Sequence, residues 1–440
     1  MNRDSEKPKI ILSCLTGNIL EWFDFAVYGY LTPILATQFF PATDQFTSIL
    51  LTYSVFAIGF LFRPLGAMIF GHIGDTWGRK SALVTSSLMM AIPTFCIGLL
   101  PNYEAIGLLA PALLITCRIF QGISIGGEFT GSIVYLVEQG TPGRKGFFSC
   151  WADIGCYIGM ILGSICVALL HATLSKENLA SFGWRLPFLS GLLLSVLAVY
   201  IRSHLSETLE FETTKQSVKS PSVKSPLKQL FKTSPKALFF SSLLAINTVG
   251  YYILIVFIPN QTVILGKLQG SETYLINAVV LLTITFSTFI CANLCDYLDK
   301  TKLYLAGTIG CLLLAYPTFY GLNHFDLNTQ VNMMCLMALS LGFCYGSRPL
   351  FMVSIFPAHL RFSAIAIALN LTNAVFGGFS PMLATYLVEK TGSIEIPAVL
   401  IIIACCFTIF AIVNLSELAR GKTHENIDPI TDKVLQRNTT

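Results

Sequence analysis

Apolar runs of about 20 residues recur along the chain, separated mostly by short polar breaks. Twelve are legible: 10–38, 47–71, 82–100, 105–137, 147–172, 185–203, 236–266, 272–295, 302–321, 329–353, 362–388 and 394–415. A helix that crosses a bilayer needs about 20 predominantly apolar residues. Each run is long enough, and the longer ones must tilt or kink. One break is long. Residues 203–235, "SHLSETLEFETTKQSVKSPSVKSPLKQLFKTSP", are polar, rich in Ser and Lys and interrupted by Pro221 and Pro226. They divide the runs six and six. The pattern predicts an all-α membrane protein with twelve transmembrane helices. A first six-helix bundle is expected in 1–202, a linker in 203–235, a second bundle in 236–415 and a tail in 416–440.

Composition agrees with lipid as the solvent. The chain is 54% hydrophobic and 12% charged, with mean hydropathy +0.68. A soluble domain carries about 25% charged residues. The polar stretch "MNRDSEKPK" precedes an apolar run too long for a cleavable signal peptide, so the first span is expected to be retained. The net charge of +4 comes with no basic block interleaved with aromatics, so no nucleic-acid partner is expected. Thirteen cysteines are scattered through apolar runs. The short-spaced pair Cys291 and Cys295 has no His nearby, so they read as small hydrophobes and no metal is expected. No Walker lysine, GxGxxG or nucleophile–base set stands out. The chain is not expected to be an enzyme or to need a cofactor.

Lys and Arg in the loops set the orientation. Of 28 basic residues, 21 fall on the side of the termini and the linker, and four (Lys176, Arg185, Lys267, Lys390) on the other. Arg63, Arg118 and Arg348 lie within spans. Both termini and the linker are therefore expected in the cytoplasm. The halves also look like a repeat. "GHIGDTWGRK" (71–80) and "ANLCDYLDKT" (292–301) align Asp75 with Asp296 and Arg79 with Lys300. "TPGRKG" (141–146) and "FPAHLRFS" (356–363) occupy matching loops. Two parallel six-helix repeats place a substrate site at their interface, near mid-membrane.

"GHIGDTWGRK" resembles the loop 2–3 signature of the major facilitator superfamily, with Thr76 where a basic residue usually follows the acid. "GNILEWFDFAVYG" (17–29), "FRPLGAMIFGHIGD" (62–75), "RIFQGISIGGEFTGS" (118–132) and "FGWRLPF" (182–188) resemble its metabolite:proton symporter branch. "TFCIGLLPNYEAIGLLAP" (94–111), "YLVEQGTPGRKGFFSCWADIG" (135–155) and "IFPAHLRFSAIAIALN" (355–370) are most similar to the branch's bacterial transporters of proline and betaine. The resemblance covers nearly the whole chain, most densely its first half. It implies two pseudo-symmetric six-helix bundles of the major facilitator fold in a bacterial inner membrane. Osmosensing members carry a long C-terminal coiled coil. The tail after Leu415 has no sustained heptad, so regulation through that device is not expected.

Glu21 and Asp24 are three apart on one helical face, with Tyr28 a turn further on. A charge in hydrocarbon costs at least about 2.5–3.5 kcal/mol on insertion scales, so such groups face a cavity or a partner. Burial favours the protonated acid, which makes the two acids candidate proton-coupling groups. Pairing with a cation to hold helices together is the competing role. Glu128, ten residues after Arg118, is a third candidate, with a gating ion pair as its alternative. Arg63, Arg118 and Arg348 suit a substrate carboxylate, although Arg348 could instead snorkel or cap a helix. Trp22, Phe25, Tyr28, Tyr251 and Tyr252 could face an ammonium group. With 33 Phe and 16 Tyr in the chain, packing is the commoner fate of any one ring. Asn247, Asn370 and Asn373 could line the cavity or bond between helices. The pairs Gly122/Gly126 and Gly127/Gly131 read as close-packing sites. Asp153 is expected near the cytoplasmic end of the fifth span. Asp75, Arg79 and Lys80 form a loop cluster suited to a conformational latch.

The expected function is proton-coupled uptake of a small zwitterion such as proline or betaine. The runner-up substrate is an organic acid such as oxoglutarate or citrate. A transporter-like sensor is the alternative of another class. It would carry an added cytoplasmic domain, and the longest expected cytoplasmic segment is the linker.

Overall fold

The computed structural model describes residues 3–192, 196 and 226–425 apart from positions 43, 78, 142 and 357. The side chains of Asp75, Arg79 and Lys80, the expected latch, lie outside the described residues, as does most of the linker. Helices follow the order of the apolar runs. The first six are α1 (Arg3–Tyr30), α2 (Gln45–Phe70), α3 (Arg79–Leu99), α4 (Leu109–Gln139), α5 (Lys145–Thr173) and α6 (residues 185–192). After the short helix Pro226–Thr233 come α7 (Pro235–Ile264), α8 (Gly270–Leu294), α9 (Lys300–His324), α10 (Leu327–Ile355), α11 (Ser363–Thr391) and α12 (Ile396–Glu425). Among the described residues nine helices are long and apolar enough to cross a membrane, and the apolar part of α3, Val84–Leu99, is shorter. Helix α1 is outside the nine because Asn18, Glu21 and Asp24 lower its hydropathy.

Prolines and wide turns supply the expected irregularities. Helix α1 stops before Thr32–Phe39, where Pro33 sits in the first turn. Helix α2 breaks at Phe62, and Pro64 opens its second piece, because proline lacks the N–H that a continuous helix needs. Tyr251 and Tyr252 directly precede a π-helical turn, Ile253–Phe257, and Asn373 begins another, Asn373–Gly377. Such turns interrupt the regular ladder and re-aim the side chains around them.

The two halves repeat one arrangement. Helices α2 and α3 pack on α4, and six helices later α8 and α9 pack on α10. Helix α5 lies against α8 and α2 against α11, which forms the seam between halves. Helices α2 and α4 meet backbone to backbone. A Cβ on Gly66 would run into the carbonyl of Ile123, and one on Gly126 into that of Arg63. Of the glycines expected to pack closely, Gly122, Gly126 and Gly127 do so.

The seam is tied at both ends. On the face away from the N-terminus, Asn260 Nδ2 donates to Gly29 O (2.6 Å) and Tyr53 OH (3.0 Å), and Tyr274 OH donates to Tyr30 O (2.6 Å). On the face that carries the N-terminus, Asp296 accepts from Gly146 N (2.7 Å) and Phe147 N (3.1 Å) in the first turn of α5. A cavity is held between these two closures.

Candidate functional site

The acids of α1 lie on its buried face, Glu21 4% and Asp24 3% exposed. Asp24 Oδ2 accepts from Gln121 Nε2 at 2.7 Å and pairs with Arg118 Nη1 at 3.5 Å. The same Arg118 Nη1 donates to Gln121 Oε1 at 2.7 Å, and Gln121 Nε2 also reaches Thr94 Oγ1 at 2.8 Å. The guanidinium carbon lies 4.1 Å from the ring of Phe25 and 4.4 Å from that of Tyr28. Arg118 thus has two kinds of neutral support besides the carboxylate. Glu21 lies near Arg63, close enough for its charge to act on the guanidinium. Arg63 sits against Phe60 (4.0 Å), Phe25 (5.0 Å) and Trp22 (5.3 Å). Glu128 accepts from Ser86 Oγ at 3.1 Å.

A second charge pair spans the seam. Asp153 Oδ1 on α5 accepts from Arg348 Nη2 on α10 at 3.2 Å, both side chains being buried. The pair lies on the wall of a small cavity between the halves, which in this conformation has room for about one water molecule. Most of the remaining wall is aromatic: Trp22 and Phe129 from the first half, Tyr157 from α5, Tyr251 and Tyr252 from α7, and Tyr345 from α10. Tyr251 is 5.3 Å from Tyr345, 5.9 Å from Tyr157 and 5.3 Å from Tyr252 between ring centroids. Trp22 stacks on Tyr252 at 6.4 Å. The wall offers ring faces to a cation, a guanidinium to a carboxylate and a carboxylate to a cation.

Of the residues picked from the sequence, Trp22, Tyr251, Tyr252, Arg348 and Asn373 line the cavity. Phe25 and Tyr28 lie against Arg118, behind that wall. Arg63 and Arg118 are buried between α1, α2 and α4. Asn247 is buried at the narrow turn of α7. Asn370 Nδ2 donates across the seam to Gly126 O at 3.0 Å. Phe129, Asp153, Cys156, Tyr157, Thr248 and Tyr345 are the cavity residues that sequence reasoning missed. Asp153 carried the same signal as Glu21, an acid inside an apolar run. It stands eight residues into α5, about 12 Å from the helix start at 1.5 Å per residue, so it is not a helix-end group.

This fold and cavity are those of a membrane transporter of the major facilitator type. The chain matches the family described as "sugar (and other) transporter" over residues 9–225 and 207–430, and it belongs to that family. It is 31% identical over 426 residues to the proline/betaine transporter of Salmonella typhimurium, covering 94% of this chain and 85% of that protein. It is 32% identical over 405 residues to the glycine betaine/proline/ectoine/pipecolic acid transporter OusA of Dickeya dadantii, covering 90% and 80%. The solved proton:xylose symporter XylE bound to 6-bromo-6-deoxy-D-glucose superimposes with a TM-score of 0.76 at 17% identity, covering 95% of this chain and 96% of that one. The partially occluded inward-open xylose transporter XylE from E. coli gives 0.74 at 15% identity, covering 93% and 99%.

Proposed function

We propose that this chain takes up a small zwitterionic osmolyte, proline or glycine betaine, together with protons, across a bacterial inner membrane with both termini in the cytoplasm. The observation that carries the reading is the inter-half cavity, whose aromatic wall holds one buried arginine and one buried acid. The relatives named as proline and betaine transporters support it. An organic dianion suits the cavity less well, because Asp153 already neutralises Arg348 there.

Asp24 is the proton site in this reading. Its carboxylate is buried, yet its cation has other support. When Asp24 is neutral, Arg118 keeps Gln121 Oε1 and the faces of Phe25 and Tyr28. An acid whose counter-ion keeps other support cycles between its two forms at a lower cost than one whose counter-ion is stranded. Glu21, beside Arg63, and Glu128 are the further coupling candidates. Asp75, Arg79 and Lys80 act as a latch on the cytoplasmic face. The tie of Asp296, the repeat counterpart of Asp75, to the start of α5 supports this. The domains divide as 1–202, 203–235, 236–415 and 416–440.

The test is uptake of labelled proline, betaine, oxoglutarate and citrate by proteoliposomes, with and without an imposed pH gradient. Gradient-driven accumulation of a zwitterion, collapsed by a protonophore, is expected. Full uptake on a sodium gradient alone, or uptake of the acids only, overturns the reading.

A further inference from the structure

The Asp153–Arg348 pair is set up to be exchanged. Among the described residues, Asp153 Oδ2 and Arg348 Nε have no hydrogen-bond partner, although both are buried. The same holds for Trp22 Nε1 on the same cavity wall. Buried polar atoms are nearly always paired, and a set of orphans on one wall marks a place for a polar ligand. Each partner of the pair thus has one polar atom in use and one unpartnered, and both residues line the cavity. Arg348 lies over the ring of Tyr345 at 4.3 Å, which holds the guanidinium in place.

We infer that Asp153 and Arg348 select zwitterions by exchanging their mutual ion pair for one pair each with the substrate. This rests on the proposed zwitterion transport and names the residues that choose the charge type. The substrate carboxylate takes Arg348, whose planar fork suits a carboxylate. The substrate ammonium takes Asp153 within the ring faces of Tyr157, Tyr251 and Tyr345, where a quaternary group also gains cation–π contact. Two charges enter and two buried charges are matched, so the cavity stays neutral. A cation alone leaves Arg348 stranded, and an anion alone leaves Asp153 stranded, and either is a costly buried charge. Selectivity therefore comes as much from rejecting half-matched ligands as from binding the right one. Because Asp153 sits on α5 and Arg348 on α10, the substrate also takes over the tie across the seam.

The experiment measures binding of three ligands of one shape to the purified full chain: glycine betaine, choline (the cation without the carboxylate) and 3,3-dimethylbutanoate (the carboxylate without the charged nitrogen). The wild type is expected to prefer betaine to either by at least about tenfold, a difference of roughly 1.4 kcal/mol. Arg348→Gln is expected to turn the preference toward choline, and Asp153→Asn toward 3,3-dimethylbutanoate. The variant carrying both substitutions strands no charge. It serves as the folded control and is expected to lose the betaine preference over both analogues. If the variants weaken all three ligands in equal proportion, or the double variant keeps the wild-type preference, the exchange is wrong while zwitterion transport stands. If the wild type binds neither betaine nor proline, the parent reading fails first.

Discussion

If Asp24 is the proton site proposed above, Asp24→Asn should separate proton coupling from substrate passage. The substitution keeps the shape, and the new amide oxygen can still accept from Gln121 Nε2, which lies 2.7 Å from Asp24 Oδ2. What is lost is the negative charge 3.5 Å from a fully buried Arg118. Removing one partner of a buried ion pair costs about 3–5 kcal/mol. Here the long separation and the shorter 2.7 Å bond from Arg118 to Gln121 put the loss near the bottom of that range. The variant should therefore fold with a lower Tm in detergent. Its functional defect should be specific. One coupled proton lets a carrier concentrate its substrate by about tenfold for each pH unit imposed, since one unit is worth about 1.36 kcal/mol. The wild type in proteoliposomes should follow that slope, and the variant should stop at an accumulation ratio of one. Exchange of labelled for unlabelled betaine, which needs no net proton movement, should persist at a rate comparable to the wild type. A folded Asp24→Asn protein that still accumulates betaine along the wild-type slope would falsify the assignment and pass the coupling role to Glu21 or Glu128. Loss of exchange together with accumulation would make Asp24 part of the binding machinery.

Gly126→Ala forces α2 and α4 apart at the carbonyl of Arg63 and should cost about 1–3 kcal/mol as overpacking does. Gly250→Ala, whose Cβ would meet nothing nearer than 3.4 Å, should leave the melting temperature unchanged. Equal melting curves for the two would overturn the close-approach argument. Tyr274→Phe removes the hydroxyl that reaches Tyr30 O at 2.6 Å and Asn260 Oδ1 at 2.9 Å, a loss of about 1–3 kcal/mol from one closure. Faster hydrogen exchange is expected at the start of α8, and an unchanged rate would show that this tie does not hold the face shut. Asp75→Asn should slow turnover far more than it weakens substrate binding. Weakened binding with normal conformational exchange would end the latch reading.

How legible was this in the sequence? The spans were, because lipid leaves a helix as the only way for an isolated segment to satisfy its backbone. Twenty-residue apolar runs are a direct consequence of that solvent. Acids and arginines inside those runs were legible for the same reason, since their cost demands a purpose. Their partners were not. Asp24 meets Arg118 across 94 positions of chain, and Asp153 meets Arg348 across 195. No local spacing encodes such meetings, which follow from how α1 lies on α4 and α5 on α10. Aromatics were the hardest to sort. Phe25 and Tyr28 looked as suitable for a pocket as Tyr251 and Tyr252, but the helical rotation of α1 turns them toward Arg118. The π-helical turn after Tyr252 leaves that ring on the cavity wall. A 3.6-residue pattern cannot foresee a turn that departs from it.

The two ion pairs differ in what they join, and this bears on how coupling can work. Asp24 and Arg118 both belong to the first half, so neutralising Asp24 leaves the seam intact. Asp153 and Arg348 belong to different halves, so breaking that pair loosens the seam unless something replaces it. A proton acting on the first pair can change the charge of one bundle without opening the protein. A substrate acting on the second can bridge the bundles only if it brings both charges. A carrier with its proton site inside one half and its substrate site across the seam can read the two ligands separately. Trp22, two residues before Asp24 on α1, stacks on Tyr252 in the cavity wall and so joins the two proposed sites through one helix. If Asp24 is the proton site as proposed, a shift of α1 on its protonation would move that wall and would let each ligand bias the site of the other.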